Sequence, residues 1–145
     1  MTGIDRTSLA VLFDRMIPGD ADFPPPSRID LADAMATHER FSAMAEAMIA
    51  ALPADFSTRP KAAQIAVVES VEREKAAVFD PFMVALYSLY YVHPLVLAAV
   101  ERASGYAARA PQPEGYVLKP FDPAIVAVPA SRGPQYRDAG TGSSS

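Results

Sequence analysis

The last third of the chain, Pro111 to Asp138, most limits what this protein can fold into. Six prolines punctuate it: Pro111, Pro113, Pro120, Pro123, Pro129 and Pro134. Each removes a backbone donor and fixes φ, so neither a helix nor a central strand is expected to run through the segment. Yet it also carries Tyr116, Val117, Leu118, Phe121, Ile125, Val126, Val128 and Tyr136, and segments that stay disordered are poor in such side chains. The pattern predicts an extended, proline-stiffened arm that needs a surface to lie on. That surface is either the chain's own body or another protein.

Length and charge narrow the classes further. A chain of 145 residues supports one modest core and is short for a complete cofactor enzyme. Its formal net charge of −4 lacks the basic footprint of a nucleic-acid binder. With no cysteine, disulfides, iron–sulfur clusters, thiolate zinc sites and cysteine nucleophiles all drop out. The first residues show no basic signal segment, and Asp14 and Arg15 interrupt the apolar positions that follow, which points to the cytoplasm and leaves the periplasm open. Pro81 to Val100 is uncharged and of membrane-spanning length. However, Pro94, His93, Ser88 and three tyrosines interrupt it, and Asp80 and Glu101 bracket it without Lys/Arg clusters. Two buried helices meeting near His93-Pro94 are expected there, and no membrane span.

Residues 1–110 read as a helical body. Thr7 or Ser8 caps a first helix with Leu9, Leu12, Phe13, Met16 and Ile17 on one face. Pro18-Gly19-Asp20 ends it, and Phe23-Pro24-Pro25-Pro26 forms a stiff connector. Asp30 caps a second helix that carries Leu31, Met35, His38, Phe41, Met44, Met48 and Ile49 and closes at Pro53. A third starts around Pro60 and runs to about Ala77, with Glu69, Glu72, Arg73, Glu74 and Lys75 as its solvated side. Asp80-Pro81 opens a fourth, apolar on nearly every side, and a fifth runs from Pro94 to about Ala103 before Gly105. The predicted fold is therefore all-α: a small bundle of about five helices (1–110) with a long extended Pro-rich C-terminal arm (111–145).

No catalytic, cofactor-binding or metal constellation stands out. His38-Glu39 lacks the second histidine of a zinc-protease helix, and His93 sits before a proline where a capping role fits. No glycine-rich phosphate loop is present. Asp20, Asp22 and Asp30 could hold a hard cation, but their spacing matches no calcium loop and suits turn and cap positions. The methionines of the second helix read as adaptable core packing.

Tyrosines are more suggestive. Tyr87, Tyr90 and Tyr91 lie within two turns, with Tyr87 sharing a face with each of the others. Buried tyrosine needs a partner for its hydroxyl, and the residue is favoured at interfaces. A five-helix body is small for covering a helix apolar all round. These three, together with Tyr116, Phe121, Ile125, Val126, Val128 and Tyr136 of the arm, form the expected partner interface.

Two stretches resemble a known family. Leu9-Ala10-Val11-Leu12-Phe13-Asp14-Arg15-Met16-Ile17-Pro18-Gly19-Asp20, followed by Phe23-Pro24, resembles the opening of the gluconate 2-dehydrogenase small-subunit (gamma, or subunit 3) family, where a short helix runs into an Ile-Pro-x-Asp turn. Gly105-Tyr106 through Gly115-Tyr116-Val117-Leu118-Lys119-Pro120-Phe121-Asp122 resembles that family's glycine–tyrosine closing segment. The resemblance implies a helical subunit that binds no flavin itself. It further implies a partner: a large flavoprotein of the glucose-methanol-choline type that holds FAD and oxidises an alcohol carbon of a sugar, sugar acid or related polyol. The small subunit would support that partner's folding or stability. Many members carry a twin-arginine export signal; its absence from Met1 to Arg15 favours a cytoplasmic complex.

Three expectations follow. The first is a non-catalytic small subunit of an FAD-dependent oxidoreductase. The second is a self-contained helical binding or regulatory module whose arm packs on itself. The third is a small enzyme that uses His93 or His38 with nearby carboxylates as acid and base.

Overall fold

A computed structural model describes residues 3–107 and 118–133, and all the regular structure among them is helical. The chain divides into two compact units, Met1–Arg109 and Ala110–Ser145. The first contains α1 (Arg6–Met16), α2 (Leu31–Thr37), α3 (Ser42–Ala51), α4 (Lys61–Glu74), α5 (Ala76–Tyr90) and α6 (Pro94–Ser104). Short 3-10 turns at Pro26–Ile29 and Phe56–Thr58 join α1 to α2 and α3 to α4. The second unit contains a 3-10 turn, Pro123–Val126, leading into α7 (Ala127–Ser131).

Asp5, not Thr7 or Ser8, caps α1. Its Oδ1 accepts from the Thr7 and Ser8 amides at 3.0 and 3.1 Å, and its Oδ2 accepts from the Ser8 hydroxyl at 2.6 Å. Leu9, Leu12 and Phe13 of α1 are fully buried, as the helical spacing of these apolar residues requires.

The predicted second helix is two helices. Its break lies at His38–Phe41, where the His38 Nδ1 accepts from the Arg40 and Phe41 amides at 3.1 and 3.3 Å. The imidazole also stacks on the Phe41 ring at 4.2 Å. A side chain that bonds its own downstream amides offers the backbone an alternative to continuing the helix. Asp30 precedes α2 in the left-handed region (φ 52°), and its carboxylate makes no cap bond. Aspartate is one of the few residues that visit this region readily.

The next boundary also moves. α4 stops at Glu74, Lys75 breaks the path (φ −133°, ψ 44°), and α5 already begins at Ala76. Pro81 therefore lies inside α5 and does not start it. As the sixth residue it lies past the first turn and deprives the Ala77 carbonyl of its helical donor. The arm is not extended throughout. Asp122 caps the 3-10 turn by accepting from the Ala124 amide at 2.9 Å. Pro129 falls in the first turn of α7, where a missing N–H costs nothing.

α5 is the central strut, packing against α2, α3 and α4, while α1 lies against α2 and α4. Phe82 of α5 meets Phe13 of α1 with ring centroids 5.8 Å apart. Met35, Met48, Phe56 and Leu86 close the core around them, all fully buried. Each such side chain contributes roughly 1.5–3 kcal/mol by leaving water, which outweighs the helix-weakening effect of Pro81 and holds α5 through its proline. Two polar side chains are buried among the described residues, Ser8 beneath the Asp5 cap and Gln64. Gln64 accepts from the Arg15 Nε at 2.7 Å and donates to the carbonyls of Phe56 and Ser57 at 3.2 and 3.3 Å.

Candidate functional site

The site is built where α5 turns into α6. The two helices meet at a bend of 76°. His93 makes the corner: its Nδ1 accepts from the Leu95 amide at 3.2 Å, and Pro94 follows at the first helical position. Both histidines of the chain thus act as backbone acceptors. Among the described residues no single helix is long and apolar enough to cross a membrane.

α5 spends its apolar residues on two faces. Phe79, Phe82, Ala85, Leu86 and Tyr90 point into the core. Val84, Tyr87 and Tyr91 form an exposed stripe on the other side, at 60, 37 and 52 % exposure. Their spacing of three and four residues stacks them on one face, and the Tyr87 and Tyr91 rings lie 6.1 Å apart. Val92 and Leu95 carry the same apolar character, exposed, around the corner.

Tyr90 departs from the expected interface. It is 1 % exposed, and its hydroxyl donates to the Pro24 carbonyl at 2.9 Å. Burial pushes the hydroxyl above its ordinary pKa, and Tyr91 and the Asp20 carboxylate push in the same direction. The hydroxyl finds its partner inside the chain, so Tyr90 is a core residue that fastens the connector rather than a docking group. Its ring also meets the Tyr91 ring edge-on at 5.2 Å.

The connector that Tyr90 holds is the Ile17–Pro25 turn. Gly19 has φ +69°, and a Cβ placed there would stand 2.6 Å from the Pro25 nitrogen. Only glycine fits without moving the turn. The Asp20 amide donates to the Phe23 carbonyl at 2.9 Å, while the Asp20 Oδ1 accepts from the Asp22 and Phe23 amides at 2.8 Å each. These amides, Phe23 first and then Asp22, hold the Asp20 carboxyl below the usual carboxylate range. From α6, Arg102 donates to the Asp22 carbonyl at 3.2 Å. Between turn and corner runs a groove of about 340 Å³ lined by Ile17, Pro18, Phe23, Tyr91 and Val100, with Asp20 at its edge.

In the second unit Phe121, Ile125, Val126 and Val128 are all exposed, as is Leu118. Tyr116 and Tyr136 lie outside the described residues. Asp20, Asp22 and Asp30 do not gather around a cation position, and no group of three or more acidic or histidine side chains among the described residues could hold a metal ion. Val84, Val92 and Leu95 are exposed too and are absent from the expected interface. Extending the three-and-four spacing back from Tyr87 finds Val84, whereas Val92 and Leu95 lie beyond the helix, where that period no longer applies.

No family model, no curated protein and no solved structure matches the chain.

Proposed function

We propose that this chain is the non-catalytic small subunit of a large FAD-dependent oxidoreductase of the glucose-methanol-choline type, which it stabilises and with which it assembles. The large chain would hold the FAD and oxidise an alcohol carbon of a sugar or a related polyol or glycoside. The observation that carries the docking half of this reading is the exposed apolar stripe Val84–Tyr87–Tyr91 at the end of a helix whose opposite face is buried in the core, with Val92 and Leu95 also exposed just beyond it. Clustered exposed apolar side chains mark interaction sites, and tyrosine is enriched at them. The flavoprotein half is supported by the resemblance of the Leu9–Pro24 and Gly105–Asp122 stretches to the gluconate 2-dehydrogenase small subunits.

A second reading, a self-contained helical binding or regulatory module with no flavoprotein partner, draws on the closure of the core. The buried cluster is assembled from α1 to α6 and the turns between them.

The deciding experiment is co-purification of the tagged chain from its native host, with an absorbance scan of the eluate. A much larger polypeptide bearing flavin bands is expected, lost when Tyr87 and Tyr91 are both replaced by serine and lost on deletion of residues 111–138. A colourless, soluble monomer would establish the second reading instead.

A further inference from the structure

The groove between the Ile17–Pro25 turn and the α5–α6 corner has a chemistry of its own. We propose that it receives an arginine side chain presented by a partner protein, its guanidinium against the Asp20 carboxylate and the Tyr91 ring and its methylene stem along Phe23 and Val100. The inference rests on the accessory-subunit reading for the owner of that arginine, and on the groove alone for its chemistry.

Among the lining residues Asp20 alone carries a charge; the others are Ile17, Pro18, Gly19, Phe23, Tyr90, Tyr91 and Val100. Its Oδ1 is taken by the two turn amides, and its Oδ2 accepts no hydrogen bond among the described residues. Neither ion pair among the described residues involves it; those join Arg6 to Asp33 and Arg59 to Asp55. The neighbouring Arg102 is tied to the Asp22 carbonyl. Among the described residues the Asp20 carboxylate thus has no cationic partner, and the rest of the groove lining is apolar or aromatic.

Such a wall selects the side chain that is apolar along its length and cationic at its tip. Lysine and arginine both lay their stems on apolar surface. Arginine fits better, because its flat, weakly hydrated guanidinium stacks on a tyrosine ring while donating to a carboxylate. The receptor is already formed. The turn is bonded without any ligand, through the Asp20 amide to the Phe23 carbonyl and the Tyr90 hydroxyl to the Pro24 carbonyl, which lowers the ordering cost of binding.

The test uses the full isotope-labelled chain and two peptides, N-acetyl-Gly-Arg-Gly-amide and its counterpart with neutral, isosteric citrulline. The arginine peptide should move the Asp22 and Phe23 amide resonances in a saturating titration. The citrulline peptide should bind up to about fivefold more weakly, the range an exposed ion pair supplies. Asp20→Asn, which keeps the Oδ1 acceptor and so the turn, should bring the two peptides to equal affinity. Tyr91→Ala, at an exposed position, should weaken the arginine peptide without disturbing the turn. Equal binding of both peptides to the unaltered chain, or Asp22 and Phe23 resonances that never move, overturns the proposal. A failed titration alongside a co-purifying flavoprotein refutes the groove alone; a successful titration with no flavoprotein refutes the accessory-subunit reading alone.

Discussion

Gly19 and Gly105 provide a paired experiment on what the turn costs to disturb. Both have nearly the same left-handed backbone, φ +69° and +73°. Alanine at either position incurs the left-handed penalty of an L-residue, about 1–2 kcal/mol. The gain from restricting the unfolded chain, about 0.4–1 kcal/mol, is also common to both. What differs is the space around the new methyl group. At Gly105 nothing lies within 4 Å, whereas at Gly19 the Pro25 nitrogen stands at 2.6 Å, Pro25 Cδ at 2.8 Å and the Phe23 carbonyl oxygen at 2.9 Å. Two of these atoms belong to a proline and the third to a bonded carbonyl, so no flexible side chain can move aside.

Relief requires the turn to open. That breaks the Asp20 amide bond to the Phe23 carbonyl and pulls Pro24 away from the Tyr90 hydroxyl. Each bond contributes about 1 kcal/mol, and Tyr90 would be left with a buried unsatisfied hydroxyl. Gly19→Ala is therefore expected to destabilise by about 2 kcal/mol more than Gly105→Ala. The assay is urea unfolding of the full chain followed by far-UV circular dichroism, with the slopes compared so that only midpoints decide. Equal midpoints for the two variants would refute the reasoning, because the shared backbone term would then account for everything.

Four further outcomes follow from the same geometry. Phe82→Ala should cost about 3–5 kcal/mol, read by the same unfolding assay, since Phe82 is fully buried against Phe13. Gln64→Leu should cost about 1–3 kcal/mol because it strands the Phe56 carbonyl and the Arg15 guanidinium; an unchanged midpoint would show that water replaces the amide. Asp5→Ala should cost about 1 kcal/mol of α1 capping. The Ser8 hydroxyl, then the Ser8 and Thr7 amides, lower the Asp5 pKa below 3.8, so this contribution is present above that pH and fades as the pH falls beneath it. The difference between the two proteins should shrink on acidification below pH 3.8, and a constant difference would refute the cap. His93→Ala should loosen the α5–α6 corner by about 1 kcal/mol, as loss of a helix cap does, while His93→Asn, which retains an acceptor, should restore it.

The elements legible in the sequence were those marked by a backbone constraint or a regular period. α1 announced itself through Leu9, Leu12 and Phe13, which are buried as expected although its cap is Asp5, and α6 through Pro94 at its start and Gly105 at its end. The misplaced boundaries have physical causes that composition does not show. The α2–α3 break carries no glycine or proline; it exists because one imidazole captures two amides. Lys75 breaks the chain between two helices with no local signal in its own residue type. Pro81 looked like a helix start because proline is common there, yet tertiary packing of Phe79 and Phe82 on either side carries α5 through it. In the second unit, Pro123 and Pro129 argue by residue type against a helix, but both occupy first-turn positions of short elements.

Tyr90 shows why the site itself was only half visible. Tyr87, Tyr90 and Tyr91 look equivalent in sequence, and spacing alone cannot say which of three tyrosines on adjacent helical rows turns inward. The decision depends on Pro24, 66 residues away, whose carbonyl accepts no backbone amide among the described residues because the Arg28 amide goes to the Pro25 carbonyl instead. That carbonyl gives the Tyr90 hydroxyl the acceptor without which burial would cost about 1–3 kcal/mol. With Tyr90 inward, Tyr87 and Tyr91, four residues apart, are left as the exposed pair. The Ile-Pro-Gly-Asp turn and the tyrosine cluster are thus one structure. The turn selects the inward tyrosine, and the inward tyrosine holds the turn against the outward one. Tyr90→Phe should then leave the core filled but release the connector, so the Asp22 and Phe23 amides should exchange faster with solvent while the far end of α5 stays protected. Uniform loss of protection would mean that the hydroxyl bond supports the whole fold, and that turn and stripe are not a local unit.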